Sequence, residues 1–248
     1  MNLKLVSKLL ISTSIVLLVT IALFAYLNIA TLKKLLLAEA VADVDKQSDT
    51  IIRTTHHQML EDDRTRVYQM VHEVGSQHGI ERIRMINKNG RIIFSTNDAE
   101  IGTMLDKQAA ACNMCHASKN PVLHASSMNR SRVFYTSEGK QVLGLAKAIY
   151  NEESCSAASC HFHPASFKVL GILDIIVSLE EMNAQLIAYR NKIIILTATL
   201  LILISFSMAI FMQKFVNSPV KQLLKHTHKL AQGELGSGVQ FTPPSLVL

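Results

Sequence analysis

Two short stretches hold all four cysteines of this chain, and both place a histidine directly after the second cysteine. The first is Cys112-Asn-Met-Cys115-His116, and the second is Cys155-Ser-Ala-Ala-Ser-Cys160-His161-Phe-His163. A Cys-x-x-Cys-His run is the attachment pattern of a c-type haem. Each thiol adds across one haem vinyl group, and the adjoining imidazole is held under the iron as its proximal ligand. The first stretch predicts haem c bound by Cys112 and Cys115 with His116 as ligand. The second, with four residues between its cysteines, predicts a second haem on Cys155 and Cys160 with His161 as ligand. A disulfide, a zinc site and a thiol redox pair are the competing uses of such cysteines. A disulfide accounts for the thiols but not for the histidine after each pair.

A sixth ligand must come from elsewhere. Besides His116 and His161, the middle of the chain holds His56, His57, His72, His78, His124 and His163. His56 is the favoured distal candidate, because it lies one helical turn from both Ile52 and Leu60, on an apolar face. His57 is rotated about 100° from it. His163, two residues after His161, has difficulty reaching the opposite face of the same haem. Met104, Met114 and Met128 are thioether alternatives, which raise the potential of an iron they bind.

The elements that carry these residues lie between two uncharged apolar runs. Leu9–Leu32 and Ile193–Gln213 are each long enough to cross a hydrocarbon core of about 30 Å as a helix. They account for the mean hydropathy of +0.24. The first is longer than a signal-peptide core, and Lys33-Lys34 precede any small-residue cleavage pattern, so it is expected to remain as an anchor. The expected organisation is residues 1–8 inside, 9–32 spanning, 33–192 folded, 193–213 spanning and 214–248 inside. The intervening stretch of about 160 residues is the length of one domain.

The net charge of +6 is uneven. Residues 35–192 hold seventeen Lys/Arg against eighteen Asp/Glu, whereas eight lysines beside the spans face only Glu234. A folded domain without a basic excess speaks against nucleic acid as a partner. Juxtamembrane lysines suit anionic headgroups. The lysine bias places both termini inside, weakly. Covalent haem attachment takes place outside the cytoplasmic membrane, which makes the middle domain periplasmic and the chain a two-pass inner-membrane protein.

Along the domain, residues 33–77 read as one long helix, with no Pro or Gly before Gly75. Leu37, Val41, Val44, Ser48, Ile51 and Thr55 step by four and three, a seam suited to pairing in a homodimer. After Thr55 the apolar stripe weakens and shifts to Leu60, Val67, Val71 and Val74. Strands are expected at Glu81–Asn87 and Arg91–Ser95, joined at Lys88-Asn89-Gly90, and Asn-Gly is a strong hairpin signal. Two more are expected at Val133–Thr136 and Val142–Tyr150, turned at Glu138-Gly139. The apolar run Val169–Leu179 suits a central buried strand, and Glu180–Lys192 a helix entering the second span. The fold class is therefore α+β: two transmembrane helices flank an antiparallel sheet that follows a long N-terminal helix. Both haem stretches fall in its loops.

The run from Ile83 through Lys88-Asn89-Gly90 to Asn97, closing with Glu100-Ile-Gly102, resembles the opening hairpin of periplasmic Cache and PAS-like sensor domains. Phe215-Val-Asn-Ser-Pro219-Val-Lys-Gln-Leu-Leu, followed by Leu230-Ala-Gln-Gly233-Glu-Leu, resembles the first helix of a HAMP domain. Together these parts resemble the input half of haem-containing histidine kinases and chemotaxis receptors. That resemblance implies a periplasmic haem sensor reporting redox state or a small ligand through the second span. The sequence after Gly233 runs through Pro243-Pro244 without the second HAMP helix or a kinase region. Two expectations stay open: a truncated product that lacks its cytoplasmic output domain, or a chain that acts through a partner kinase. Two other classes stay open: a membrane-anchored dihaem cytochrome that only passes electrons, and a Cache-type sensor whose cysteines form disulfides or bind zinc. No catalytic constellation stands out, and Asp62-Asp63 and Glu180-Glu181 are expected on solvated helical faces.

Overall fold

The computed structural model describes residues 3–61, 63–105, 125–156 and 163–231. The chain divides into two units, residues 29–188 and residues 1–28 with 189–248.

The larger unit is built on a five-stranded antiparallel sheet. Its strands are β1 (Ile80–Asn87), β2 (Ile92–Ser95), β3 (Ser131–Tyr135), β4 (Gln141–Tyr150) and β5 (Val169–Ser178), in the order β2-β1-β5-β4-β3. The apolar run expected to be a buried strand is β5, and it lies at the centre. The first hairpin turns where expected. Gly90 has φ +87°, a left-handed conformation that glycine adopts without Cβ strain. The Asn87 side-chain oxygen accepts from the backbone N–H groups of Asn89 and Arg91, each at 3.0 Å, which locks the turn.

Side chains alternate across the strands and give the sheet two different faces. On one face Ile83, Met85, Leu143, Leu145, Leu173 and Ile175 form the core. Ile175 lies opposite Ile83 on one side and Leu145 on the other, so one row crosses three strands. Helix α1 (Leu3–Leu60) covers this face with Val41, Val44 and Ile51, and helix α2 (Arg64–Gly75) covers it with Val67 and Val71.

Two expectations are corrected here. The stripe read as a dimer seam packs on the chain's own sheet: Val41, Val44, Ser48, Ile51 and Thr55 are all buried within the unit. A heptad-like stripe records only that a helical face is buried, not what buries it. Ser48 and Thr55 meet this environment by donating to the carbonyls of Val44 and Ile51 on their own helix, each at 2.7 Å. Secondly, the helix expected over 33–77 ends at Leu60 and restarts at Arg64. Asp63 is not on a solvated helical face; it caps α2, accepting from the Arg66 N–H at 3.0 Å. The shift of the apolar stripe after Thr55 is the sequence trace of this break.

The opposite face carries a buried charge cluster. Asp174 is fully buried. It accepts from Arg84 at 2.6 and 3.1 Å and from both terminal nitrogens of Arg132 at 2.8 and 2.9 Å. Arg84 is its direct neighbour on β1, whereas Arg132 reaches it from β3 across the whole of β4. Gly144 makes that crossing possible, since a Cβ there would lie 2.7 Å from the Arg132 guanidinium carbon. Arg82 extends the cluster through an ion pair with Glu100 at 2.6 Å.

β5 runs into helix α3 (Glu180–Phe211) with only Leu179 between them. Glu180 and Glu181 occupy the first turn of α3, where carboxylates favour the helix dipole. Leu179 is buried in the core.

The smaller unit contains the apolar parts of α1 and α3. Helices within Ile11–Leu60 and Glu180–Leu223 are long and apolar enough to cross a membrane, with windows of mean hydropathy 2.4 and 2.6. After Phe211 the helix widens into a π-helical segment, Met212–Asn217, and resumes as α4 (Ser218–Ala231). The Ser218 N–H donates to the Gln213 carbonyl, five residues back. Pro219, which has no N–H to offer, stands second in α4.

Candidate functional site

The last turns of α1 project His56 and Met59 from one helical face, because they are three residues apart. Opposite them the ends of β4 and β5 contribute Ile149, Tyr150, Leu170 and Leu173. Between these walls lies a cavity of about 470 Å³, within the range of small-molecule and cofactor sites. The larger part of its surface is apolar. Two places along it hold polar side chains that bear on its chemistry.

The first place holds the soft and imidazole donors. A single helical turn, Glu153–Ser156, carries Cys155 to the cavity, and His163, the last residue of the second cysteine stretch, also lines it. His56 Nε2 lies 3.5 Å from Cys155 Sγ and 3.3 Å from Ser154 Oγ. The distal candidate on α1 is thus in contact with the first thiol of the Cys155–Cys160–His161 stretch. Thiol, imidazole and thioether side chains thus line one cavity. Among the described residues no group of three or more His, Cys, Asp or Glu side chains is placed to hold a metal ion by itself.

The second place is an ion cluster at the cavity edge. Lys147 Nζ lies 2.9 Å from both Asp45 Oδ1 and Asp49 Oδ2, which ties β4 to α1. Arg130 also reaches Asp45 at 2.9 Å and donates to the carbonyls of Ala125 and Ala146 at 2.9 and 3.0 Å. Burial by itself would raise the Asp45 carboxyl. The hydrogen bonds from Lys147 and Arg130, with their positive charge, outweigh it and hold the group below its ordinary value. Through Ala125 the same cluster fixes the chain where it enters β3 after the first cysteine stretch.

The other expected residues distribute as follows. Cys112, Cys115, His116, His124 and Met114 lie outside the described residues, as do Cys160 and His161. His57 points away from the cavity, exposed, and pairs with Glu61 at 3.2 Å. His72 is exposed on α2, and His78 lines a separate groove with Glu39 and Asp43. Met104 and Met128 are exposed and do not line the cavity, so the structure brings neither to the site. Met59 and the Lys147–Asp45–Arg130 cluster were missed from sequence. Met59 carries a usable signal, its three-residue spacing from His56. The ion cluster carries none, because its members come from α1, β4 and the approach to β3.

Compared with protein-family models and with curated proteins, the chain matches none.

Proposed function

We propose that this chain is a membrane-anchored sensor whose middle domain binds haem c covalently and transmits its state through the second span. The reading has the domain as a PAS/Cache-like unit on the periplasmic side of the inner membrane, with α4 as a HAMP-like exit helix. The antiparallel sheet with a long helix over one face supports the PAS/Cache-like part. Haem at Cys155, and a second at Cys112 and Cys115, would supply an iron whose redox state and outer ligand can change.

One observation carries the reading. The cavity and the exit helix share a strand: Leu170 and Leu173 line the cavity, and the same β5 ends one residue before α3. A change in what fills the cavity therefore acts on β5 without an intervening loop. To signal, it must favour one of two arrangements of β5 and α3. Shifts of about 1–2 Å are typical of helices in such transitions. The residues of this chain divide the work. Cys155 would attach the group and His56 would serve as its outer ligand, while the Lys147–Asp45–Asp49 contacts hold α1 against β4. Pairing of two chains, also part of the proposal, falls to surfaces other than the buried stripe of α1.

A fusion tests it. Residues 1–235 joined to a complete HAMP unit and histidine kinase should give kinase activity that follows haem redox state or an added haem ligand. An active fusion indifferent to both, and unchanged by Cys112→Ala and Cys155→Ala, would replace the sensor with a chain that only carries electrons or only anchors.

A further inference from the structure

Between Met212 and Ala231 the chain carries Lys214, Lys221, Lys225 and Lys229 and no acidic residue. Within α4, Val220, Leu223, Leu224, Thr227, Leu230 and Ala231 recur at three- and four-residue steps and share one helical face. Lys221, Gln222, Lys225 and Lys229 fall on the other. Leu223 is 47% exposed. Helix α4 follows a helix apolar enough to span a membrane, after a π-helical segment and Pro219, a place where a helix axis readily bends.

We infer that α4 docks along an anionic lipid surface, its apolar face against the acyl boundary and its lysines among the headgroups. Two independent features favour a lipid surface as the occupant. The charge is of one sign, as anionic headgroups require and as two parallel copies of the same helix do not. The helix also begins where the span ends, so the surface is already within reach. Membrane contact would hold α4 in one of two states, lying on the lipid or released, and its position would then depend on lipid charge. None of this depends on the cofactor.

The chain has no tryptophan, so Leu223→Trp gives a single reporter. The full-length variant is placed in nanodiscs of phosphatidylcholine alone or of phosphatidylcholine mixed with phosphatidylglycerol, with and without brominated acyl chains. The expected result is blue-shifted emission and strong bromine quenching in the anionic discs, weak in the neutral ones. Salt at 1 M, which cuts the Debye length to about 3 Å, should abolish the difference. So should replacing the four lysines by glutamine in the same variant. Emission and quenching that ignore lipid charge and salt overturn the inference. Blue-shifted emission that is equal in both lipids and grows with the number of chains per disc also overturns it, because a second copy then covers the face.

Discussion

His56 Nε2 and Cys155 Sγ lie 3.5 Å apart, although ninety-nine positions separate them in sequence. This contact joins the end of the long first helix to the second cysteine stretch and sets one wall of the cavity. If a haem is attached at Cys155, His56, which lines the same cavity, is the proposed imidazole ligand. His56→Ala should convert one haem of the low-spin spectrum to a high-spin or water-ligated form. His57→Ala, which removes an exposed imidazole paired with Glu61, should leave the spectrum unchanged. Absorption and electron paramagnetic resonance spectra of the two variants check this, and identical spectra would remove His56 as a ligand.

The contacts at Asp45 give a prediction in pH. Its carboxyl is held below the ordinary value, so the native state favours the ionised form. The resulting stability is fully present above the unfolded-state value of about 3.9 and is lost as pH falls through the lower folded value. Asp45→Asn should therefore be less stable than the parent at neutral pH, and the gap should narrow under acid. Urea denaturation of both chains in detergent, at pH 7 and at stepwise lower pH, measures it. A gap that stays constant would mean the ionised carboxyl is not what ties α1 to β4.

The opposite face of the sheet should be sensitive to its buried charges. Asp174→Ala leaves Arg84 and Arg132 facing each other without their acceptor, which costs about 3–5 kcal/mol. Gly144→Ala should cost less, about 1–3 kcal/mol, because the flexible end of Arg132 can move aside. It moves by losing Asp174, so the two substitutions share one contact. Together they should cost less than their sum, as denaturation of the double variant will show.

The restart of the helix at Arg64 rests on a single cap. Asp63→Ala should destabilise α2 by about 1 kcal/mol, and Asp63→Asn, which keeps the acceptor, by less. Hydrogen exchange of the first turn of α2 would report it locally, and equal protection in both variants would show that packing by Val67 and Val71 alone holds the turn.

Much of this architecture was legible because local rules and tertiary packing agree. Asn89-Gly90 announced the hairpin, and the unbroken apolar run from Val169 announced the central strand. The break at Asp63 was obscured because no Pro or Gly marks it. The partner of the α1 stripe was not legible at all, since Val41, Val44 and Ile51 have the same spacing whether they meet a second helix or a sheet. The site was half legible. Cys155 and His56 stand out by residue type and periodicity. Lys147, Asp45 and Arg130 acquire meaning only when α1, β4 and the approach to β3 come together.

Covalent haem can be tested directly, because thioether links survive acid extraction and denaturation whereas a non-covalent haem does not. The measurement is the iron and pyridine haemochrome content of the purified, denatured chain beside Cys112→Ala and Cys155→Ala. The expected result is a c-type haemochrome with two irons per chain, falling to one when either cysteine's site is lost. A chain matured under conditions that load known c-type cytochromes, yet carrying no acid-stable haem, would contradict it.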